Sequence, residues 1–296
     1  MGSSFDILKG WETGQIAAIL NKVSGGDREK LEAILRDENG RVIPAKSLKN
    51  SVYDPNKKLR LIQPKLETIG DFSSRLVHFK EAFKHGSCPT VAEFSGRANK
   101  LIDDIRSNKN KNVANLLNGI YLPIILPRLE DFRDYGEALE KIFLPAVKFS
   151  YEKQFPNRKF WNYRDGNLED KVNIAEGTRH EKLLERMARE FVVALYFPNP
   201  LQGFSVLASR EQLFALPESL MLAGGFDTAT AMAMYPDILA KDWYTPGLDL
   251  SALSWQSPHC SLFFRADDEW LLFGGWGDLG IALGGCSSGL LFLGSA

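Results

Sequence analysis

The spacing of apolar residues changes along this chain. In the first third they recur three and four residues apart, as in GQIAAILNKVSGG and DFSSRLVHFKEAFKHG, which is the repeat of an amphipathic helix. After Tyr244 the spacing becomes strand-like: CSLFFRADDEWLLFGG indicates a hairpin that turns at Asp267 and Asp268, and GLLFLG indicates a last strand. Because helices come first and antiparallel strands come last, we expect an α+β fold, with a helical N-terminal region packed on a mixed α/β region.

Capping patterns and prolines predict where several elements begin or break. The capping box, in which Ser or Thr is followed three residues later by Glu or Gln, predicts the start of a helix. It occurs at Thr90-x-x-Glu93, Thr178-x-x-Glu181 and Ser209-x-x-Gln212. The stretches PESLMLAGG and DTATAMAMYPD suggest two more helices, and Asp27 precedes another that carries Leu31, Ile34 and Leu35. Pro145 is expected to kink or split the helix in DYGEALEKIFLPAVKFSYEKQF.

Three stretches in the middle of the chain are typical of strands. GIYLPIILPRL contains two prolines and fits an edge strand or a buried linker. KFWNYR is aromatic and strand-like, and FVVALYF is a candidate buried strand. We divide the chain into a mainly helical region, 1–118, and a mixed region with a β-rich end, 119–296, with one continuous domain as the alternative.

Composition favours a soluble, globular protein in a reducing compartment. The 296 residues are 44% hydrophobic and 25% charged. The chain has an odd number of cysteines, and they are widely spaced: Cys88, Cys260 and Cys286. This pattern favours reduced thiols and a cytoplasmic location. The uncharged stretch 279–296 approaches the length of a membrane-spanning helix, but its glycines and serines favour a buried strand, so we expect no membrane contact.

Charge is distributed unevenly. Residues 1–111 carry 20 basic and 14 acidic side chains, whereas 201–296 carry 3 basic and 10 acidic ones. This asymmetry fits a basic face for an acidic partner, or two ends that attract each other within one fold, and we favour the second. Weak nucleic-acid binding by the basic first third is an alternative, but the helix DREKLEAILRDE is net acidic and would repel phosphates.

Two short motifs near the carboxyl end suggest catalysis. GGWGDLG places Gly275, Gly277 and Gly280 at the spacing of a dinucleotide-binding loop, and GCSSG places Ser287 at the centre of a nucleophile elbow. Both motifs require a helix directly after the turn, and the 16 residues that follow Gly280 are too few for a helix and a second strand. We therefore interpret these residues as turns between strands and expect no cofactor.

Histidines and cysteines offer a few further candidates. His259 and Cys260 are adjacent, but neighbours in a strand point to opposite faces, so they would not activate each other. His180 lies in the first turn of the helix predicted after Thr178, where a helix N-terminus disfavours the imidazolium, and it should be neutral if buried. No cluster has the spacing of a zinc site.

The stretch DGNLEDKVNIAE, from Asp165 to Glu176, resembles a calcium-binding loop. Oxygen-bearing side chains fall at alternate positions and Glu176 falls at the bidentate position. Position 6, where the sharp turn calls for Gly, holds Asp170, and the entering helix is missing. We therefore favour a solvated loop and assign no metal.

The stretches YFPNPLQGFSVLASREQL and LMLAGGFDTATAMAMYPDIL, with the closing GLLFLG, are similar to uncharacterised hypothetical proteins from candidate-phylum bacteria. The resemblance covers chiefly the last two-fifths of the chain. It implies no activity, cofactor or site residue.

Each of these motifs lacks the structural context that its chemistry requires, and this is the basis of the functional prediction. We expect a binding or interaction protein without catalysis, with a protein as a possible partner. The alternative is a hydrolase whose site is assembled from residues distant in sequence. Its first candidates are His180, His259, Cys260, Asp165 and Ser287.

Overall fold

Helices pack against a mixed eight-stranded β-sheet in this protein. The computed structural model describes residues 12–27, 30–31, 40–45, 48, 52, 59–84, 88–130 and 132–294. Its helices and strands confirm the α+β class.

The first helices follow the predicted spacing. They are α1 (Thr13–Ser24), α2 (Ile69–Ala82), α3 (Val91–Arg106) and the short α4 (Lys111–Ala114), which is followed by a 3-10 turn at Asn115–Asn118. α3 begins at the predicted capping box, where Thr90 and Glu93 bond reciprocally. Phe72, Leu76 and Phe79 of α2 are buried, but Ile19, Leu20 and Val23 of α1 are exposed, so that stripe is not a core face. The helix predicted after Asp27 lies mostly outside the described residues.

The middle of the chain contains an edge strand, a helix with a π-helical stretch inside it, and a second strand. β1 (Leu122–Leu126) is fully buried at one edge of the sheet, as GIYLPIILPRL predicted. α5 (Tyr135–Ala138) continues through a π-helical stretch, Leu139–Phe143, into α6 (Leu144–Gln154). Pro145 lies in the first turn of α6, directly after the π-helical stretch, and the helical backbone continues through it. Because proline cannot donate a backbone hydrogen bond, the change of helical pattern occurs where the predicted split was expected, but the helix is not interrupted. β2 (Lys159–Asn162) follows in KFWNYR.

Three predicted helix starts were wrong. α7 (Glu181–Met187) begins three residues after Thr178, because the Thr178 hydroxyl donates to the Ala175 carbonyl and does not cap the helix. α8 (Val206–Leu213) begins before Ser209, and its cap is Ser205, which accepts from the Ala208 N–H. PESLMLAGG forms a buried strand, β5 (Leu220–Leu222), paired with β10 (Cys286–Phe292). That pairing outweighs its local helix preference.

The remaining elements complete the sheet. They are β3 (Val172–Ile174), β4 (Val192–Gln202), α9 (Gly225–Met234), α10 (Pro236–Leu239), β6 (Gly247–Asp249), β7 (Leu253–Trp255), β8 (Cys260–Ala266) and β9 (Trp270–Gly277). The strand order is β1-β4-β10-β6-β8-β9-β2, with β5 beside β10, and β3 pairs with β7 in a separate ribbon. The β8–β9 hairpin, with an Asp267–Trp270 hydrogen bond at its turn, and the last strand β10 confirm the predicted β-rich end.

One hydrophobic core includes residues from both regions of the chain. Buried side chains of α2 and α3 belong to the same cluster as those of β4, α9 and β10. Arg75 of α2 pairs with Asp237 of α10 through two hydrogen bonds of 2.5 and 2.9 Å, which joins the basic first third to the acidic last third. In the described part of the chain, no helix has both the length and the apolar character needed to cross a bilayer.

Candidate functional site

A buried polar cluster lies at the N-terminus of α9. The Tyr135 hydroxyl is 3.0 Å from Nε2 of His180 and accepts the backbone N–H groups of Gly225 and Phe226 at 2.9 and 3.2 Å. The Phe226 ring is stacked between the rings of Tyr135 and Phe143, with centroid distances of 4.0 and 4.3 Å. Stacking and hydrogen bonding together fix Tyr135 across the helix end.

Both ring nitrogens of His180 are used inside the fold. Nδ1 is 3.3 Å from the carbonyl oxygen of Leu222, which can only accept, so Nδ1 carries the proton and Nε2 accepts from Tyr135. His180 is 0% exposed, and this burial lowers its pKa to about 4. Burial and these two hydrogen bonds favour a neutral ring, as predicted for a buried His180. Because both nitrogens are bonded within the fold, the ring offers no free nitrogen to a substrate in this structure.

Asp227 is the second titratable group in this cluster. It occupies the third position of α9, where its Oδ1 accepts the Gly224 N–H at 2.8 Å. Oδ2 is buried and has no hydrogen-bond partner among the described residues. Burial raises the Asp227 pKa to about 7, although backbone N–H groups oppose the shift.

A second buried polar cluster joins β6, β10 and the loop after β6. The hydroxyls of Ser251 and Ser288 are 2.5 Å apart, and Asp249 lies opposite Ser288 in the parallel pair of strands. Burial raises the Asp249 pKa to about 7, and burial together with the Asp249 charge raises the pKa of the Cys286 thiol to about 12. Cys286 is therefore a thiol with very little thiolate at neutral pH.

The two motifs near the carboxyl end are parts of strands. Gly275 and Gly277 lie in β9, and Ser287 lies fully buried in β10, so the prediction that these residues form turns was wrong, whereas Gly280 does lie in the turn that follows β9. A Cβ on Gly275 would approach the Trp255 ring to 2.9 Å, which explains that glycine by close packing. No helix follows Gly280 in the described residues up to 294, so the architecture that phosphate binding or a nucleophile elbow requires is missing there.

The structure does not assemble the hydrolase candidates into a site. His259 is exposed, and Cys260, half-buried at the start of β8, accepts a 3.6 Å hydrogen bond from the Ser257 hydroxyl. Asp165 lies in the exposed loop after β2. Within the described ranges, no hydrogen bond or ion pair joins any two of the five residues proposed for a hydrolase.

The calcium-like loop lacks converging ligands. Asp170 has φ 59°, the left-handed conformation that the sharp turn needs, even though it is not glycine. However, Asn167 accepts a hydrogen bond from the Lys171 ammonium, and Asn173 is paired with Ser254 in the β3–β7 ribbon. Across the described chain, no group of three or more His, Cys, Asp or Glu side chains could hold a metal ion.

A set of partly exposed side chains lies at the other end of the sheet, around β2, β9 and β8. Directly opposed residues of neighbouring strands share a face, so Trp161 of β2, Leu272 of β9 and Arg265 of β8 lie side by side. The Arg265 guanidinium lies 4.8 Å from the centroid of the Trp243 ring. Trp161 is 49% exposed and Trp243 is 47% exposed. We call Trp161, Leu272, Arg265 and Trp243 the outer row.

Strand β2 is an open edge beside the outer row. It pairs only with β9 in the described sheet. A groove of about 430 Å³ runs between β2 and α6. It is lined by Lys148, Glu152, Pro156, Arg158, Lys159, Phe160 and Trp161.

Sequence reasoning missed Tyr135, Asp227 and the outer row. A signal for the outer row exists in KFWNYR, where Trp161 and Tyr163 share the side of the strand that also carries Lys159. Aromatic residues on the charged face of a strand indicate an exposed recognition surface. Tyr135 gave no local signal, because its partners His180 and Gly225 are 45 and 90 residues away.

The basic first third, for which weak nucleic-acid binding is the alternative prediction, lies only partly within the described residues. Two of its lysines, Lys57 and Lys58, fall outside them.

Comparisons with protein-family models, curated proteins and solved structures found no match to this chain. The similarity to hypothetical proteins of candidate-phylum bacteria therefore stays a prediction, and function must be argued from the geometry.

Proposed function

We propose that this chain is a non-catalytic binding protein that recognises another protein through the outer row and the adjoining edge of β2. The observation that carries the proposal is the exposure of Trp161 and Trp243, nearly half of each, on one continuous face with Leu272 and Arg265. Trp and Arg are the residues that most often dominate the binding energy of protein interfaces.

The buried clusters support the absence of catalysis. Of the acidic and basic groups with strongly shifted pKa values, His180 and Asp227 are 0% exposed and Asp249 is 4% exposed, whereas catalytic groups must reach a substrate. The partly buried Cys286, whose pKa is also strongly raised, is held as an unreactive thiol. Among the described side chains, none forms a hydrogen bond with the exposed His259 ring of the kind that activates a nucleophile. The buried titratable groups therefore stabilise the N-terminus of α9. The exposed side chains of the outer row are the ones available to contact a partner.

We also propose a cytoplasmic location. Cys88, Cys260 and Cys286 are all free thiols, which suits a reducing compartment.

Peptide display on the immobilised full chain tests the binding function. A random-peptide library should yield enriched sequences on the wild type, and Trp161→Ala and Trp243→Ala should each remove that enrichment. Phe214→Ala is the matched control, because Phe214 is an aromatic side chain that is 73% exposed at the end of α8. Enrichment that survives in both tryptophan variants, or that never exceeds the empty support, would contradict the proposal.

A further inference from the structure

The free edge of β2 carries backbone groups directed away from the sheet. Lys159 and Tyr163 donate their N–H groups to Glu269 and Phe273, on the β9 side. Backbone groups of alternate residues point to opposite sides of a strand, so those of Phe160 and Asn162 point outward. An incoming extended chain could pair with this edge.

The groove beside this edge has a net positive lining. Lys148 of α6 and Lys159 of β2 are exposed, and Arg158 lies between the two elements. Against these three cations the lining has one carboxylate, Glu152. A chain lying in the groove would place its side chains near these cations, which favours acidic residues.

Glu152 already occupies part of the edge. Its Oε1 accepts the Phe160 N–H at 3.3 Å, the position that a carbonyl oxygen of an added strand would take. Charged side chains placed at sheet edges are a common protection against unspecific pairing. Because the contact is long and Glu152 is only half-buried, a specific partner can displace it.

We infer that the groove between β2 and α6 binds an extended, acidic segment of a partner protein, which adds to the sheet as a strand beside β2. This inference rests on the proposed function and specifies its partner. Main-chain hydrogen bonds would supply part of the affinity, as in other cases of strand addition, and the three cations would supply the preference for acidic sequences. Trp161, which borders both the groove and the outer row, joins the two contact surfaces.

The first experiment tests the charge preference. The probes are fluorescein-labelled peptides in which Glu alternates with Val and Thr, and matched peptides with Gln or Lys in place of every Glu. Fluorescence anisotropy with the full chain should show the tightest binding for the Glu peptide. The double variant Lys148→Glu, Lys159→Glu should weaken it by about tenfold. Lys100→Glu with Lys109→Glu changes the net charge equally on other exposed lysines and should leave binding unchanged.

The second experiment tests strand addition itself. N-methylation of alternate residues in the Glu peptide removes the N–H groups on one side of the extended chain. One set of methylated positions should abolish binding and the other should leave it nearly intact, because only one side pairs with β2. Glu152→Ala should tighten binding several-fold, because it frees the Phe160 N–H and removes the opposing charge.

The outcomes separate the two proposals. If the display experiment yields Trp161-dependent peptides but the Glu and Lys probes bind equally, or both methylated sets behave alike, this inference is overturned and the binding function stands. If neither the display experiment nor the probes show binding that depends on Trp161, both are overturned.

Discussion

The Tyr135 hydroxyl donates to His180 Nε2 at 3.0 Å while it accepts the N–H groups of Gly225 and Phe226 at 2.9 and 3.2 Å. One side chain from α5 thus caps the first turn of α9 and fixes the neutral tautomer of a buried histidine. The glycine at position 224 makes this possible, since a Cβ there would lie 2.6 Å from the His180 ring.

Tyr135→Phe should lower the free energy of unfolding by about 2–3 kcal/mol, because it leaves two backbone N–H groups and His180 Nε2 buried without this partner. Urea unfolding followed by circular dichroism measures the change. Tyr151→Phe is the control: its hydroxyl is buried and has only the neighbouring Arg158 guanidinium as a possible partner, so its removal should cost less than removal of the Tyr135 hydroxyl with its three partners. Equal losses in the two variants would show that the Tyr135 network contributes no net stability.

The contrast between Thr90 and Thr178 shows what local sequence could predict. Both begin a capping-box pattern, but only Thr90 forms one. At Thr178 the backbone is held by longer-range contacts: its carbonyl accepts the Leu222 N–H, and Arg179 adopts φ 61°. Helices and hairpins with local periodicity were therefore predictable, whereas β5, which exists because β10 pairs with it, was not.

Asp227→Asn should make the stability of the protein less dependent on pH between about 4 and 7. Burial raises the Asp227 pKa from 3.8 to about 7, so its contribution to stability is fully present below about pH 4 and is lost as pH rises to about 7. Across that window, stability relative to the variant should fall by up to about 1.4 kcal/mol per pH unit. Urea unfolding at several pH values measures the difference. A wild-type-to-variant difference that is constant from about pH 4 to 8 would contradict the assigned ionisation.

His180→Gln should have the opposite effect on pH dependence. Burial lowers the His180 pKa from 6.5 to about 4, so the stability contributed by the neutral ring is present above about pH 6.5 and is lost as pH falls towards 4. Gln retains an acceptor for the Tyr135 hydroxyl but does not titrate. The variant should be less stable at neutral pH, and its disadvantage should shrink as the solution is acidified over this range. A disadvantage that grows on acidification would contradict burial of a neutral ring.

These two groups titrate in overlapping ranges with opposite sign. In the wild type their contributions should largely cancel between about pH 4 and 6.5. The cluster therefore contains two strongly shifted groups without giving the protein a steep pH response. This cancellation is more consistent with a structural role at the end of α9 than with a pH switch.

The outer row was harder to predict than the core for a physical reason. Its residues come from separate parts of the chain. The register of β2, β9 and β8 places Trp161, Leu272 and Arg265 side by side, and Trp243 joins them through its contact with Arg265. A one-residue shift in the β2–β9 register would exchange the faces of β2. The sequence showed aromatic residues in a strand, but the sheet order decides that they form a continuous exposed surface.

Arg179 holds the turn after α8 in place. Its guanidinium, with the side chain only 10% exposed, donates to four backbone carbonyls. They belong to Leu213, Leu216, Pro217 and Leu220. Arg179→Lys should lower the free energy of unfolding by about 2–4 kcal/mol, because one ammonium cannot reach the carbonyls that the planar guanidinium spans. Amide hydrogen exchange should also accelerate in residues 213–222, ahead of the rest of the sheet.

Lys182→Ala provides the control for Arg179. The Arg179 guanidinium lies 3.2 Å from the Glu218 carboxylate, and the Lys182 ammonium contacts the same carboxylate at 3.0 Å. The Glu218 side chain is 77% exposed, and exposed ion pairs contribute less than about 1 kcal/mol. Its removal should leave exchange in 213–222 unchanged. If Arg179→Lys behaves like Lys182→Ala in both measurements, the ion pair with Glu218 is the main role of Arg179. If only Arg179→Lys loosens the segment, the hydrogen bonds of Arg179 to the carbonyls hold β5 against β10. They then also support the cluster of His180 and Tyr135, because the Leu222 carbonyl at the end of β5 is the partner of His180 Nδ1.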